Sequence, residues 1–311
     1  MDNLTHSLVG ALLGQAGLKG KTGLAMPALI IGANLPDIDA ACFFWLEGAE
    51  HLGFRRGITH GPPALVLLPL ILAGLLYGFD RWQAKRGKRP EGRLLVSFKW
   101  LFLLSFIGCL THPALDWLNV YGIRLLEPFS SEWFYGDTLF IIDVWLWALM
   151  GFATWFSLRR EKRGGQWKRP ARAAIAAALA YIAMNWAISH VIYQTAEMHA
   201  QPTEIIQSPP PFAFWQRDTI IGFNDPDLPP WIITSAAKLP NRASQCQMPA
   251  KSEIVGNEEA EAFLFWSRAP IAERADNGSV LLRDARYYDP QARDRFTVTL
   301  PDMKCEELPA E

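Results

Sequence analysis

Long apolar runs separated by short polar connections dominate the first two-thirds of the chain. Residues 61–79 contain no charged side chain, and an α-helix needs about 20 such residues to cross the hydrocarbon core of a bilayer. Residues 98–118, 138–158 and 172–193 have a similar pattern, with few ionisable groups. The pattern therefore predicts four membrane-spanning helices.

Two further apolar segments precede these helices. Residues 22–46 are apolar, whereas residues 4–18 are short for a full span. Gly10, Gly14 and Gly17 favour close packing of this first segment against another helix over exposure to lipid. A secretory signal peptide is the alternative interpretation, but no basic region precedes the apolar run. We therefore predict two short or partly buried spans beside the four long ones.

The pattern changes after residue 200. The proline-rich stretch QSPPPFAF cannot continue a helix. Short apolar and aromatic runs follow, separated by Pro, Gly, Asn and Asp: FAFWQ, TIIGF, PWIITSA, AFLFWS, SVLLRDARYY and RFTVTL. Such runs predict a small β-rich domain of the meander or sandwich type. The expected fold is thus mainly α, with a transmembrane helix bundle over residues 1–199 and a β-rich domain over residues 200–311.

The distribution of charge orients the predicted bundle. The 30 Lys and Arg nearly balance the 31 Asp and Glu, so a basic surface for nucleic acid is not expected. Lys and Arg nevertheless cluster in residues 81–99 and 159–172, and Lys19 and Lys21 separate the first two apolar segments. The positive-inside rule makes these connections cytoplasmic. We therefore expect a multi-pass membrane protein with its C-terminal domain on the extracytoplasmic side.

The four cysteines show no CxxC spacing, which argues against a thiolate metal site. Cys42 and Cys109 lie in apolar segments and are expected to be buried. Cys246 and Cys305 both lie in the polar C-terminal part, and they could pair if that part is outside the cytoplasm.

Side chains that bind divalent metals flank the apolar segments on one predicted side of the membrane. They are His6, Asp37, Asp39, His60, His112 and Asp116. His112 and Asp116 are the most informative pair, because residues four apart lie on one face of a helix. Histidine nitrogen and carboxylate oxygen form the mixed ligand set of catalytic zinc. We therefore predict a divalent-metal site, most simply for zinc, with one or two ions.

Several of these side chains have a structural alternative. His6 could cap the first helix, and Asp37 and Asp39 could form a turn that ends the second segment. Two carboxylates at the end of an apolar segment are costly without a cation, which favours the metal. In a PDxD turn, one carboxylate can bind the metal while the other orients a neighbouring histidine. His60 could instead face the membrane interface at the start of a helix.

Four further residues are candidates for chemistry other than metal binding. Asp137 and Asp143 lie at the start of the fifth segment and could act as a general base, as ligands or as the N-cap of the helix. We carry both as catalytic candidates. Arg55 and Arg56 are candidates for binding an anionic substrate group, with lipid head groups as the alternative partner.

The order of the motifs resembles the YdjM-like family of inner-membrane proteins, which are described as metal-dependent hydrolases. The resemblance rests on THS near the start, PDID, RRGITHG (close to the usual HRGxTHS) and THPALD, and it covers roughly residues 1–150. The order of His and Asp is also similar to that of the zinc-dependent phospholipase C and single-strand nuclease group.

The resemblance implies a ligand set. One metal would be held by Asp37 or Asp39 together with His60, His112 and Asp116. His6 would hold a second metal, with Asp116 bridging the two. The chain has Arg at position 55, where the family often has His, and it offers no clear His/Glu pair for a third metal. A trinuclear site is therefore not expected.

These observations predict a membrane-bound metal-dependent hydrolase that uses metal-activated water. The expected substrate is a phosphoester in a membrane lipid or a lipid-linked molecule. An ion- or proton-coupled transporter is the main alternative, because intramembrane His and Asp also mark transport pathways. A non-enzymatic membrane scaffold is a third interpretation. Neither the bond cleaved nor the oligomeric state follows from the sequence.

Overall fold

Two compact units make up the protein in a computed structural model. The structure describes residues 1–200, 202–224, 230–234, 245–289 and 292–306. The first unit, called the helical unit below, contains Met1–Asp39, Arg56–Ile188 and Pro209–Trp215. The second unit contains Ala40–Arg55, Ser189–Ser208 and Gln216–Glu311. Residues 40–55, expected in the transmembrane domain, thus belong to the second unit.

Seven α-helices precede the first strand. They are α1 (Asn3–Gln15), α2 (Ala25–Gly32), α3 (Glu50–Phe54), α4 (Pro62–Lys85), α5 (Phe98–Trp117), α6 (Val144–Lys162) and α7 (Lys168–Ala200). Short 3-10 helices over Leu35–Phe44 and Ile58–His60 carry the PDID and THG motifs. Among the described residues, α4, α5 and α7 are long and apolar enough to cross a membrane. A fourth span results if α2 and Leu35–Phe44 are counted together.

Three of the four predicted long spans correspond to α4, α5 and α7, and the predicted short segment 22–46 corresponds to the bent pair of helices, whereas residues 138–158 differ from the prediction. The helix in this region begins only at Val144, where the side chain of Asp143 accepts hydrogen bonds from two backbone N–H groups of the first turn. Its last turn carries Arg159, Arg160 and Lys162. α6 is therefore not among the described helices that are long and apolar enough to cross a membrane.

Apolar side chains on the outer face of α4 show that this helix is suited to a hydrocarbon environment. The exposed side chains on it include Val66, Leu67, Leu70, Ile71 and Leu75. Water would penalise such a continuous apolar surface, whereas lipid tails solvate it. The expected mainly α transmembrane bundle is confirmed.

Close backbone contact joins α1, α2 and α5. A Cβ atom at Gly10 of α1 would lie 2.7 Å from the carbonyl oxygen of Leu29 in α2, and one at Gly108 of α5 would lie 2.6 Å from the same oxygen. Gly32 of α2 approaches the backbone of Ser105 in the same way. Small residues permit this packing, which supplies dispersion contacts where lipid removes the hydrophobic driving force. The predicted role of the first glycines in packing is confirmed at Gly10.

The second unit contains two antiparallel three-stranded meanders. β1 (Glu204–Ser208), β2 (Asp218–Gly222) and β3 (Trp231–Ile233) form one, and β4 (Pro270–Arg274), β5 (Ser279–Asp284) and β6 (Thr297–Lys304) form the other. The unit also contains α3, α8 (Lys251–Ile254) and α9 (Glu258–Trp266). The expected small β domain is confirmed.

The run AFLFWS was expected among the strands and is instead part of α9. The side chain of Asn257 caps this helix, and its first turn carries Glu258, Glu259 and Glu261. An Asn cap and acidic residues next to the positive end of the helix dipole stabilise a helix start. The apolar run therefore buries one helical face, including Phe263 and Trp266, instead of alternating as a strand.

Cysteine pairing follows the sequence-based expectation. A disulfide joins Cys246 to Cys305 within the second unit. Cys42 and Cys109 are buried free thiols.

Replacing Gly108 by Ala is expected to separate α5 from α2, because the added methyl group meets a backbone carbonyl that cannot rotate away. Overpacking of this kind costs about 1–3 kcal/mol. The measurement is the unfolding midpoint of the purified protein in detergent. Gly74→Ala on α4 is the matched control, because nothing lies within 4 Å of the added Cβ. Equal midpoints for the two variants would contradict the close α2–α5 contact.

Candidate metal centre

Four segments of the helical unit bring histidines and aspartates to one end of the bundle. His6 lies near the start of α1, and Asp37 lies in the 3-10 helix after α2. His60 ends the short 3-10 helix that precedes α4, and His112 and Asp116 lie near the end of α5. Helices that run in alternating directions thus present their ends to a common point.

The ligand atoms of these residues lie close enough to share an ion. The described residues contain two groups of three in which one atom from each residue lies within 4.8 Å of the others: His6, Asp37 and His112, and His60, His112 and Asp116. All except Asp37 are buried. The second group is a pair of histidines with one carboxylate, a set used by catalytic zinc with a position open for water.

One hydrogen bond sets the tautomer of His112. Its Nδ1 lies 2.7 Å from the carbonyl oxygen of Ala33 at the end of α2. A carbonyl only accepts, so Nδ1 donates and the neutral ring keeps its lone pair on Nε2. That Nε2 atom is buried without a hydrogen-bond partner among the described residues, 3.4 Å from Asp116 Oδ2 and 3.7 Å from Asp37 Oδ1. This is the orientation expected of a metal ligand held by its other nitrogen.

His112 also connects the two ligand groups. Its ring stacks on that of His6 with centroids 3.7 Å apart, and the ring of His60 is tilted against it at 5.0 Å. Since His112 has one nitrogen available, it can serve one ion. A second ion would therefore use His6 and Asp37 with another ligand, and Asp116 is the carboxylate that approaches both other histidines, at 3.4 and 3.6 Å.

Asp39 contacts the residues around His60 and is not in either ligand group. Its Oδ2 accepts hydrogen bonds from the backbone N–H of Arg56 at 2.8 Å and from the hydroxyl of Thr59 at 3.2 Å, and it lies 3.6 Å from Nδ1 of His60. Neither ligand group includes Asp39. Of the two carboxylates in PDID, the geometry thus favours Asp37 as ligand and Asp39 as the group that orients His60.

Cationic groups surround Asp116. The Nε atom of Arg56 lies 3.2 Å from Asp116 Oδ2, and the amino group of Met1 contacts Oδ1. The Arg56 guanidinium also donates to the side chain of Asn119 and lies over the ring of Tyr121. Arg56 is buried, so its positive charge is part of the site's electrostatics.

The two catalytic candidates before α6 lie outside both ligand groups. Asp143 accepts hydrogen bonds from the backbone N–H groups of Trp145 and Leu146 and from the hydroxyl of Tyr181. Burial raises the pKa of Asp143, and these three hydrogen bonds oppose the rise. Its contacts match the helix-cap alternative. Asp137 follows Gly136 in the preceding loop with a positive φ of 46°.

Arg55 belongs to the second unit, where its guanidinium lies 5.6 Å from the centre of the Phe43 ring. Arg56 alone of this pair thus belongs to the unit that contains the ligands. Sequence reasoning missed Asn119, which is fully buried and accepts hydrogen bonds from Arg56 and from the backbone of Tyr121. It lies two residues beyond the last residue of α5, so helical spacing from Asp116 gave no signal for it.

Comparison with known proteins identifies the family. A sequence profile described as "YdjM inner membrane protein" matches residues 1–192. The chain belongs to the YdjM family. The match covers all four segments that carry the candidate ligands, and with the apolar helices it makes this chain a membrane protein of an inner-membrane family.

A curated relative of this YdjM-family chain is YfhP of Bacillus subtilis (strain 168), an uncharacterized protein that is 30% identical over 141 residues. The aligned region covers 43% of this chain and 39% of YfhP. The chain therefore spans well under half the length of that relative. No solved structure matches the chain.

Substitution of Asp143 separates its capping role from a catalytic one. Asp143→Ala is expected to lower stability by about 1 kcal/mol, because the first turn of α6 loses its acceptor. Asp143→Asn retains an N-cap acceptor and is expected to unfold close to the wild-type midpoint in detergent. Loss of activity in Asp143→Asn, despite an unchanged midpoint, would instead indicate a catalytic carboxylate.

Proposed function

We propose that this YdjM-family protein is a membrane-bound metal-dependent hydrolase that cleaves a phosphoester in a lipid or lipid-linked substrate. The observation that carries the proposal is the position of the His112 ring, whose Nδ1 donates to the Ala33 carbonyl while its buried Nε2 is directed to Asp116 and Asp37. Buried polar atoms without hydrogen bonds are costly, so their clustering at one point favours a cation as partner.

His60, His112 and Asp116 would hold a divalent ion, with zinc as the first candidate for this donor set. His6 and Asp37 would complete the site or hold a second ion. A bound divalent ion supplies a water of lowered pKa and a Lewis acid for a phosphoryl oxygen. Asp39 and Thr59 orient the ring of His60, and the Ala33 carbonyl orients that of His112.

Arg56 gives the site its preference for an anionic group. Its guanidinium lies beside Asp116 and is fixed by Asn119 and by the carbonyl of Gly122. A planar guanidinium is well suited to a phosphoryl group, whose oxygens accept two parallel hydrogen bonds. In the proposal, Arg56 gives up part of its contact with Asp116 when a substrate phosphate enters, and it donates to a phosphate oxygen instead.

The proposed site faces the periplasm. The opposite end of the helical unit carries Lys19, which pairs with Glu161, and Asp80, which pairs with Arg89 and Arg93. Basic residues at that end agree with a cytoplasmic assignment. The disulfide in the second unit supports an oxidising compartment for the residues that follow α7.

Transport remains the alternative function. A transport pathway needs polar groups through the depth of the bundle. The cavity between α1, α5, α6 and α7 is instead lined by apolar side chains and Thr111. This cavity favours an enzyme that receives an amphiphile.

The metal content of the purified protein tests the proposal. Wild-type protein is expected to carry stoichiometric divalent metal, and His112→Ala and Asp116→Ala are expected to lose it. Asp39→Asn should bind the metal about 10–100-fold more weakly, because it removes an orienting group and not a ligand. Elemental analysis and competition with a chelator measure these quantities.

His190→Ala is the matched control, because this histidine is exposed on α7 and outside both ligand groups. It should retain the wild-type metal content. Wild-type protein without metal, or a His112→Ala variant that retains all of it, would contradict the proposal. Release of a phosphorylated head group from phospholipid vesicles by wild type, and none by Asp116→Ala, would establish the reaction class.

Thiol counting tests the proposed orientation. Cells are denatured in the presence of a maleimide reagent, so that no thiol can oxidise afterwards. Two of the four cysteines are expected to react before reduction, Cys42 and Cys109, and all four after reduction. Cys246→Ser frees Cys305 and should give three reactive thiols in both samples. Four reactive thiols in unreduced wild type would place the second unit in a reducing compartment.

A further inference from the structure

An apolar cavity of about 340 Å³ lies among α1, α5, α6 and α7 of the helical unit. Its volume is within the range of small-molecule sites. Its lining is aliphatic on every helix and includes Leu12, Leu115, Leu146, Met150, Ile175 and Ala178. Thr111 is the polar residue of this lining, but its hydroxyl donates to the carbonyl of Gly108 within its own helix at 2.6 Å. The cavity is therefore suited to a hydrocarbon occupant.

This cavity begins beside the ligand cluster. Thr111 and Leu115 of α5, together with Leu118 at its C-cap, form a stripe that borders the stripe of His112 and Asp116. On α1, Val9 and Leu13 line the cavity three and seven residues after His6, which places Leu13 about 10 Å further along the helix. One end of a ligand could thus reach the histidines while the rest stays among aliphatic side chains.

The cavity also opens to the outside of the bundle. Ala114 of α5 and Leu179 of α7 line it and are exposed, Leu179 to 62%. Both lie on helices long and apolar enough to span a membrane, so the medium at this opening is hydrocarbon. A molecule that enters here comes from the lipid phase and does not have to leave it.

We propose that this cavity binds one hydrocarbon chain of a membrane lipid whose polar head group lies at the His112–Asp116 cluster. The chain enters sideways between α5 and α7 at Ala114 and Leu179. An apolar cavity and a buried polar cluster next to each other match the two halves of an amphiphile. The designation of this lipid as substrate rests on the proposed hydrolase function, whereas the binding of its chain does not.

Photolabelling tests the chain site directly. Full-length protein is reconstituted in nanodiscs of palmitoyl-oleoyl phosphatidylglycerol that contain a trace of phosphatidylglycerol with a diazirine midway along one acyl chain. Peptide mass spectrometry is expected to find label concentrated on cavity residues such as Met150 and Ile175, above the level on the exposed face of α4. Label spread equally over both surfaces would mean bulk lipid contact only and would overturn the proposal.

A paired substitution on α7 tests the cavity itself. Ala178→Phe fills it and is expected to lower cavity labelling about tenfold, the loss that corresponds to about two displaced methylene groups. Ala183→Phe is the matched control, because Ala183 is exposed on the same helix and does not line the cavity. Should Ala178→Phe fail to fold, competition in wild type decides: unlabelled phosphatidylglycerol should displace the label, and glycerol phosphate should not. Equal labelling of the two variants, or no competition, would contradict the chain site.

The His112→Ala variant separates this inference from the proposed function. It should lose hydrolysis and keep the cavity label, because its substitution lies outside the cavity lining. Cavity labelling in a wild-type protein that cleaves no lipid would leave the chain site intact and remove the hydrolase. Cleavage of lipid without cavity labelling would support the hydrolase and rule out the chain site.

Discussion

The close approach of α1 and α5 to the backbone of α2 determines where the candidate site forms. Gly10 and Gly108 contact the same carbonyl, that of Leu29, from two helices. Four residues later the chain reaches Ala33, whose carbonyl accepts the hydrogen bond from His112. The same packing thus brings His6 and His112 into ring contact and sets the tautomer of His112. A larger residue at either glycine would separate the helices that carry the ligands.

The negative charge of Asp116 lies among two cationic groups and three histidine rings. Asp116 contacts Arg56, the amino group of Met1 and the rings of three histidines at 3.4–3.6 Å. Histidine rings around a carboxylate are a donor set for a divalent cation, and the nearby guanidinium suits an anionic substrate. In the proposed function, a bound divalent ion would be an electrophilic centre next to an anion-binding group.

The apolar cavity lies next to the His112–Asp116 cluster and could hold the hydrocarbon part of a lipid. A site at the end of a helix bundle is close to lipid head groups, and the cavity below it is open to their chains. An enzyme of this geometry would not have to extract its substrate into water. The hydrocarbon portion supplies binding energy remote from the reacting group, which can be used to position the phosphoester.

The sequence by itself determined the bundle, the small β domain and the set of residues from which the site is built. Span length, loop charge and the His112–Asp116 spacing are local properties, so they can be read without coordinates. The sequence did not distinguish Asp37, which belongs to a candidate ligand group, from Asp39, which contacts His60, and it missed Asn119 and the α9 helix. It also placed Arg55 and Arg56 in one role, although they lie in different units. Only the tertiary structure decided these points, because which carboxylate meets a histidine depends on the approach of helices distant in sequence.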